Sequence, residues 1–88
     1  MTIYTQIHEG PEHPTTIPPE DWTPWINCTG LDQTIQIALN RHIRDRGGLL
    51  PGENPLVVRV LTVCEADMRA SQGKPKTAFC TVFNVRPN

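Results

Sequence analysis

The segment from Leu56 to Glu65 restricts the possible folds more than any other, because it is apolar at both odd and even positions. A strand on a protein surface alternates between apolar and polar side chains, so this run predicts a strand that is covered on both faces. The chain has only 88 residues, enough for one domain with a small core. Covering two sides of a sheet with so little chain is therefore the main packing problem.

Two other segments have strand patterns. Residues 1–9 alternate with a period of two and predict a short half-buried strand. Residues 77–86 are rich in aromatic and β-branched side chains and predict an antiparallel hairpin with residues 56–65. The connection, residues 66–76, is polar and longer than a hairpin needs, so we expect a mobile loop that offers a binding surface.

The clearest element is a helix over residues 31–46, with one face that looks inward. Thr29, or alternatively Asp32, is the expected N-cap residue. The pair Gly47-Gly48 is the expected end, because glycine adopts the left-handed conformation of a C-terminal cap without steric cost. The inward face consists of Leu31, Ile35, Ala38, Leu39, His42 and Ile43.

The outward face of this helix carries one large apolar residue, Ile37. An outward isoleucine between arginines is unusual for a monomer and is typical of an interface. The polar residues of the same face are Gln33, Asn40, Arg41 and Arg44.

Residues 10–28 predict an extended arm, because prolines remove backbone donors and disfavour helix at the residues before them. Trp22 and Trp25 lie in this arm, and they either cover the core or form part of a binding surface. The prolines of the arm are Pro11, Pro14, Pro18, Pro19 and Pro24.

Charge is divided unequally between the two halves of the chain. Residues 1–40 contain five acidic residues and no Lys or Arg, whereas residues 41–88 contain eight basic and four acidic residues. The net charge of the whole chain is −1. This near-neutral sum favours self-complementarity, within one chain or between two copies, over binding of nucleic acid.

Catalytic and metal-binding patterns are weak. His42 could approach Cys64 or Cys80 when the helix packs on the sheet, but a structural histidine and reduced core thiols are the commoner outcome. The polar cluster at the start of the arm lacks a second group of ligands, so a solvated strand end is the simpler interpretation. That cluster consists of His8, Glu9, Glu12 and His13.

These elements predict an α+β fold in which one helix packs on an antiparallel sheet of about three strands, with an extended Pro-rich arm. No run of the sequence is apolar enough for a membrane span, and residues 1–6 lack the pattern of a secretion signal. We therefore expect a cytoplasmic protein.

The expected function is binding of a protein, without enzymatic activity, metal or cofactor. The concrete form is an inhibitor or adaptor that occupies a surface of a larger complex, a kind of small protein that phages and mobile elements encode, and homodimerisation is expected as well. The predicted interface consists of Trp22, Trp25, Gln33, Ile37, Asn40, Arg41, Arg44, Met68, Arg69, Lys74 and Lys76.

Two other functions stay open at this point. The arginines at the helix end, with Lys74 and Lys76, could contact the phosphates of a nucleic acid. A homo-oligomer could instead bind a small ligand between its subunits.

Overall fold

The computed structural model describes residues 1–11 and 17–87. These residues form a four-stranded antiparallel sheet and two helices, which confirms the predicted α+β class with one strand and one short helix more than expected. The elements are β1 (Ile3–Glu9), β2 (Thr23–Trp25), α1 (Leu31–Asp45), β3 (Leu56–Cys64), α2 (Glu65–Ala70) and β4 (Phe79–Val85). The strand order in the sheet is β2-β1-β3-β4.

β3 lies between β1 and β4 and is buried along nearly its whole length. Val58 and Val60, on the face that α1 covers, are 0% exposed. On the opposite face Leu61 and Val63 are each 4% exposed. The two-sided apolar pattern of this segment thus belongs to a central strand with cover on both sides.

α1 packs on β1 and β3 through Ile35 and Leu39, which are 4% and 5% exposed. Ala38 is buried as predicted, and His42 and Ile43 are half-buried. Leu31, expected on the inward face, is instead 39% exposed, because it is the first helical residue and lies beyond the main cluster. Together these residues form the core between the helix and the sheet.

The arm helps to cover the other face of the sheet. Arg59, only 5% exposed at the middle of β3, donates from its guanidinium to the carbonyl oxygens of residues 10–11. Gln6, also 5% exposed, donates to the carbonyl oxygens of Pro18 and Glu20 at 3.2 and 3.0 Å. Backbone carbonyls thus satisfy the polar groups that this face buries, as burial requires.

Within the predicted extended arm, residues 10–28, the structure adds a short edge strand, β2. Three residues pair with β1, with Ile3 opposite Trp25 and Thr5 opposite Thr23. Pro24 is tolerated because β2 is an edge strand, where a missing backbone donor faces solvent.

The N-cap prediction is wrong. α1 begins after Gly30, whose backbone is extended, and neither Thr29 nor Asp32 caps the helix. The Thr34 hydroxyl donates to the Gly30 carbonyl oxygen at 2.7 Å, and the Thr29 hydroxyl donates to the side chain of Gln33. The C-terminal end of α1 agrees closely with the prediction, because the helix ends at Asp45 and the glycine pair follows it. The Gly48 amide donates to the Ile43 carbonyl oxygen at 2.9 Å.

The predicted mobile loop over residues 66–76 is also corrected, because it contains most of α2. Met68 is 9% exposed and Pro75 is buried, so this connection packs against the rest of the chain. The sequence signal was weak because a helix of six residues shows less than two turns of periodicity.

Neither helix in the described part of the chain has the length and apolar character that crossing a bilayer requires.

Candidate protein-binding surface

A groove of about 250 Å³ lies between α1 and the segment that leads from β2 into it. We call it the α1 groove. It brings together three residues of the predicted interface, Trp25, Gln33 and Ile37. Its other lining residues are Ile26, Asn27, Cys28, Thr29 and Thr34.

The groove exposes two large aliphatic side chains. Ile37 is 46% exposed, which agrees with its predicted outward position on α1. Ile26 is 71% exposed, and the sequence reasoning did not include it in the interface. The sequence gives no clear signal for Ile26, because it lies in the turn after β2, where the alternation of a strand does not apply.

Trp25 forms a wall of the groove and is fixed from two sides. Its indole Nε1 donates to the Thr5 hydroxyl at 2.8 Å, and Thr5 is 2% exposed. The guanidinium of Arg41 lies 5.6 Å from the centre of the Trp25 ring, within the range of a cation–π interaction. The wall therefore connects β2, β1 and α1.

The segment between β2 and α1 is also held in place. Cys28 donates to the Met1 carbonyl oxygen from its backbone amide and from its thiol, both at 3.1 Å. Asn27 adopts a φ of 60°, a left-handed conformation that asparagine tolerates better than most residues. These contacts shape the groove in the isolated chain.

Polar residues of the predicted interface border the groove along α1. Asn40 accepts a hydrogen bond from Gln36 at 3.3 Å. Arg41 and Arg44 each lie within 4 Å of the Asp45 carboxylate, at 3.7 and 3.9 Å, with more than half of each arginine side chain exposed. Exposed pairs of this kind contribute little to stability, so they remain available to a partner.

The C-terminal end of α1 is a network of ion pairs. Arg46 contacts Glu9 at 3.1 Å and Glu53 at 2.8 Å, and His42 contacts Glu9 at 2.7 Å. The hydrogen bond from Arg46 lowers the pKa of Glu53, and a bond from the Leu50 amide lowers it further. The same contact with Glu53 raises the pKa of Arg46. Acidic residues of the chain itself thus balance the basic end of the helix.

Trp22, the other predicted tryptophan, does not line the α1 groove. It is half-buried, and its indole N–H has no hydrogen-bond acceptor among the described residues. The two tryptophans therefore have different environments, although they are three positions apart.

The remaining predicted residues lie on a second surface. Arg69 pairs with Glu65 at 3.0 Å, and Lys74 and Lys76 line a polar groove with Asp67. Met68 is buried within the chain and is not available to a partner as the sequence suggested.

The described candidates for catalysis and metal binding have separate environments. His42 contacts Glu9, whereas Cys64 is exposed and Cys80 lies opposite Leu61 in the sheet. His8 contacts the Gln6 side-chain oxygen at 2.6 Å. Within residues 1–11 and 17–87, no three potential ligands converge on a metal site, and Glu12 and His13 lie outside these residues.

A third cavity is apolar and has a volume of about 390 Å³. It lies where the N-terminal end of α1 meets the adjoining ends of β1, β3 and β4, and it includes Ile3, Leu31 and Phe79. All the residues that line this cavity belong to one chain.

No known family model, no curated protein and no solved structure matches this chain.

Proposed function

We propose that this protein is a non-enzymatic protein-binding module whose binding surface is the α1 groove. The observation that carries the proposal is the exposure of Ile26 and Ile37 in one groove of fixed shape. Complete burial of an isoleucine side chain stabilises by roughly 1.5–3 kcal/mol, and a partner that covers the exposed parts of Ile26 and Ile37 gains a corresponding fraction of this value for each. Their proximity therefore favours an interface over scattered surface residues.

The surroundings of the groove indicate the chemistry of the partner. Protein interfaces commonly have an apolar centre and a polar rim in which arginine and aromatic residues are frequent. Here the centre is Ile26 and Ile37, and the rim includes Trp25, Arg41 and Gln33. A fitting partner inserts an aliphatic or aromatic side chain and places hydrogen-bond acceptors beside the arginine.

The proposed role is that of an inhibitor or adaptor in the cytoplasm, which acts by occupying a surface of a larger complex. An origin in a phage or mobile element fits the same role.

Binding of nucleic acid receives less support. Arg41 and Arg44 lie beside Asp45, and Arg46 contacts Glu9 and Glu53, so three carboxylates accompany the three arginines of the helix end. A polyanion would meet these carboxylates as well as the arginines, which weakens its attraction to this surface.

The test compares three aspartate substitutions in a tagged protein. Ile37→Asp and Ile26→Asp place a charge in the groove, and Leu50→Asp is the matched control, because Leu50 is 57% exposed and lies outside the groove. Quantitative mass spectrometry of affinity-purified complexes identifies partners of the wild type, and calorimetry measures their affinity. We expect each groove substitution to weaken binding by about tenfold or more and Leu50→Asp to leave it unchanged.

Two results would contradict the proposal. Equal partner binding by Ile37→Asp, Ile26→Asp and the wild type would exclude the α1 groove. A partner that is lost in Arg44→Ala but not in Ile37→Asp, with affinity that falls steeply as salt rises, would indicate a polyanion instead.

A further inference from the structure

The two edges of the sheet differ in how well they are protected. β2 forms one edge with only three residues, of which one is Pro24. β4 forms the other edge with seven residues, and it contains no proline and no charged residue. Proteins usually protect an edge strand by shortness, proline or charge, so β4 lacks the features that prevent pairing with another strand.

β4 also exposes apolar side chains on both faces of the sheet. Phe79, on the face that α1 covers, is 59% exposed. Val82 lies opposite Arg59 on the other face and is 48% exposed. α1 packs mainly on β1 and β3, so it leaves the β4 side of the sheet open. A strand added beside β4 would cover both residues at once.

We propose that β4 pairs antiparallel with β4 of a second copy of this chain, which joins two sheets into one of eight strands. Antiparallel pairing of identical strands requires a two-fold axis, and the register with the greatest overlap places that axis at Val82. This register sets Phe79 opposite Val85, Cys80 opposite Asn84, Thr81 opposite Phe83, and Val82 opposite itself.

The absence of charge in β4 favours a second copy as the occupant. In the proposed register no two like charges face each other along residues 79–85, because none of these residues is charged. The same register places Val82 against Val82 of the other copy and Phe79 against Val85, so each copy supplies apolar surface that covers exposed apolar side chains of the other.

Pairing through β4 leaves the α1 groove accessible. Trp25 belongs to β2, at the opposite edge of the sheet, so the two copies would present two α1 grooves at the far ends of the joined sheet. The dimer therefore does not depend on the proposed function, and it would make the protein bivalent.

Sedimentation velocity over a concentration series tests the dimer. We expect the wild type to dimerise and Val82→Lys to weaken dimerisation by about tenfold or more, because it sets two like charges against each other at the axis. Val82→Thr, which keeps a β-branched uncharged side chain, is the matched control and should change the dissociation constant little. Ile37→Asp should dimerise like the wild type, which separates this test from that of the proposed function.

A mixing experiment tests the symmetry of the register. Val82→Lys and Val82→Glu should form a heterodimer more readily than either variant forms a homodimer, because only the mixture pairs opposite charges at the axis. Circular dichroism during heating shows that each variant is folded, which matters because the lysine faces Arg59 of its own chain.

Disulfide formation gives an independent reading of the register. In a background with Cys28, Cys64 and Cys80 replaced by serine, Val82→Cys should form a disulfide-linked dimer under mild oxidation. Asn84→Cys should not, because the two residues 84 lie roughly 14 Å apart in this register, beyond disulfide reach. A wild type that stays monomeric at every concentration, or crosslinks of equal yield at positions 82 and 84, would overturn the proposal.

Discussion

The hydrogen bond between Trp25 and Thr5 can be tested by a double-mutant cycle, because it fixes a wall of the α1 groove. Trp25→Phe keeps an aromatic ring and removes the indole N–H. Thr5→Val keeps the shape of the side chain and removes the hydroxyl. The double variant removes both groups, so the cycle isolates the energy of this one contact from the effects of each substitution alone.

The structure sets the expected magnitudes. The hydrogen bond at 2.8 Å has a net value of about 1 kcal/mol. Trp25→Phe also leaves the buried Thr5 hydroxyl without its donor and weakens the interaction with Arg41, for a total loss of about 2–3 kcal/mol. Thr5→Val costs less, about 1 kcal/mol, because it removes the same hydrogen bond but keeps the indole and its interaction with Arg41. The double variant should therefore be more stable than the sum predicts, by about 1 kcal/mol.

Urea unfolding followed by circular dichroism measures these changes. A domain of this size has a total stability of roughly 4–13 kcal/mol, so Trp25→Phe should remain folded. With an m-value of about 1 kcal/mol per molar urea, its midpoint should fall by ~2–3 M. The slope must be the same for all four proteins, since a change in m would indicate an altered unfolded state.

Additivity would refute this reasoning. If the two single changes sum to the double change within about 0.3 kcal/mol, the indole and the hydroxyl do not interact, and β2 is held by its backbone alone. The fixed shape of the groove would then lose its main support.

Two further predictions concern the ends of α1. Because the pKa of Glu53 is lowered, the pair with Arg46 stabilises the fold above the ordinary carboxyl pKa of about 4.3 and loses this contribution as the pH falls through the lowered value. The wild type should thus be more stable than Glu53→Gln in urea at neutral pH, and the difference should shrink at about pH 3. Gly30→Ser should stabilise the protein by roughly a few tenths of a kcal/mol in the same assay, because the extended N-cap has space for a side chain that accepts from the helix.

The sequence was most informative where the hydrophobic pattern is long. The fifteen residues of α1 have enough turns to define an inward face, and Ile37 lies on the outward face as predicted. The two-sided apolar pattern of β3 correctly predicted that both of its faces are covered, because apolar side chains on both faces of a strand are stable only when both faces are shielded from water. Both inferences depend on local periodicity, which needs no knowledge of distant parts of the chain.

The two short elements, β2 and α2, could not be predicted from local periodicity, and the reason is physical. β2 is three residues with a proline at its centre, and it exists because β1 offers a pairing partner about twenty positions away. α2 is too short to show a helical period, and the burial of Met68 stabilises it. Tertiary contacts determine such elements, so the local sequence gives little signal for them.

The candidate site was predicted in part. Trp25, Gln33 and Ile37 converge in the α1 groove, whereas Arg69, Lys74 and Lys76 lie on another surface. The sequence shows which large side chains are candidates for an interface. It does not show which of them lie close together, because that depends on the pairing of β2 with β1. Ile26 was missed because its exposure follows from that pairing.

The position of β1 inside the sheet has a consequence for synthesis of the protein. β1 pairs with β3 from Ile3 opposite Cys64 to Glu9 opposite Val58, so some fifty residues separate the two strands along the chain. At ribosomal rates of 5–20 residues per second, roughly 3–10 s pass between the synthesis of β1 and the synthesis of β3. During that time its apolar side chains have only β2 and α1 to pack against, so the nascent chain completes its sheet only after β3 has emerged from the ribosome.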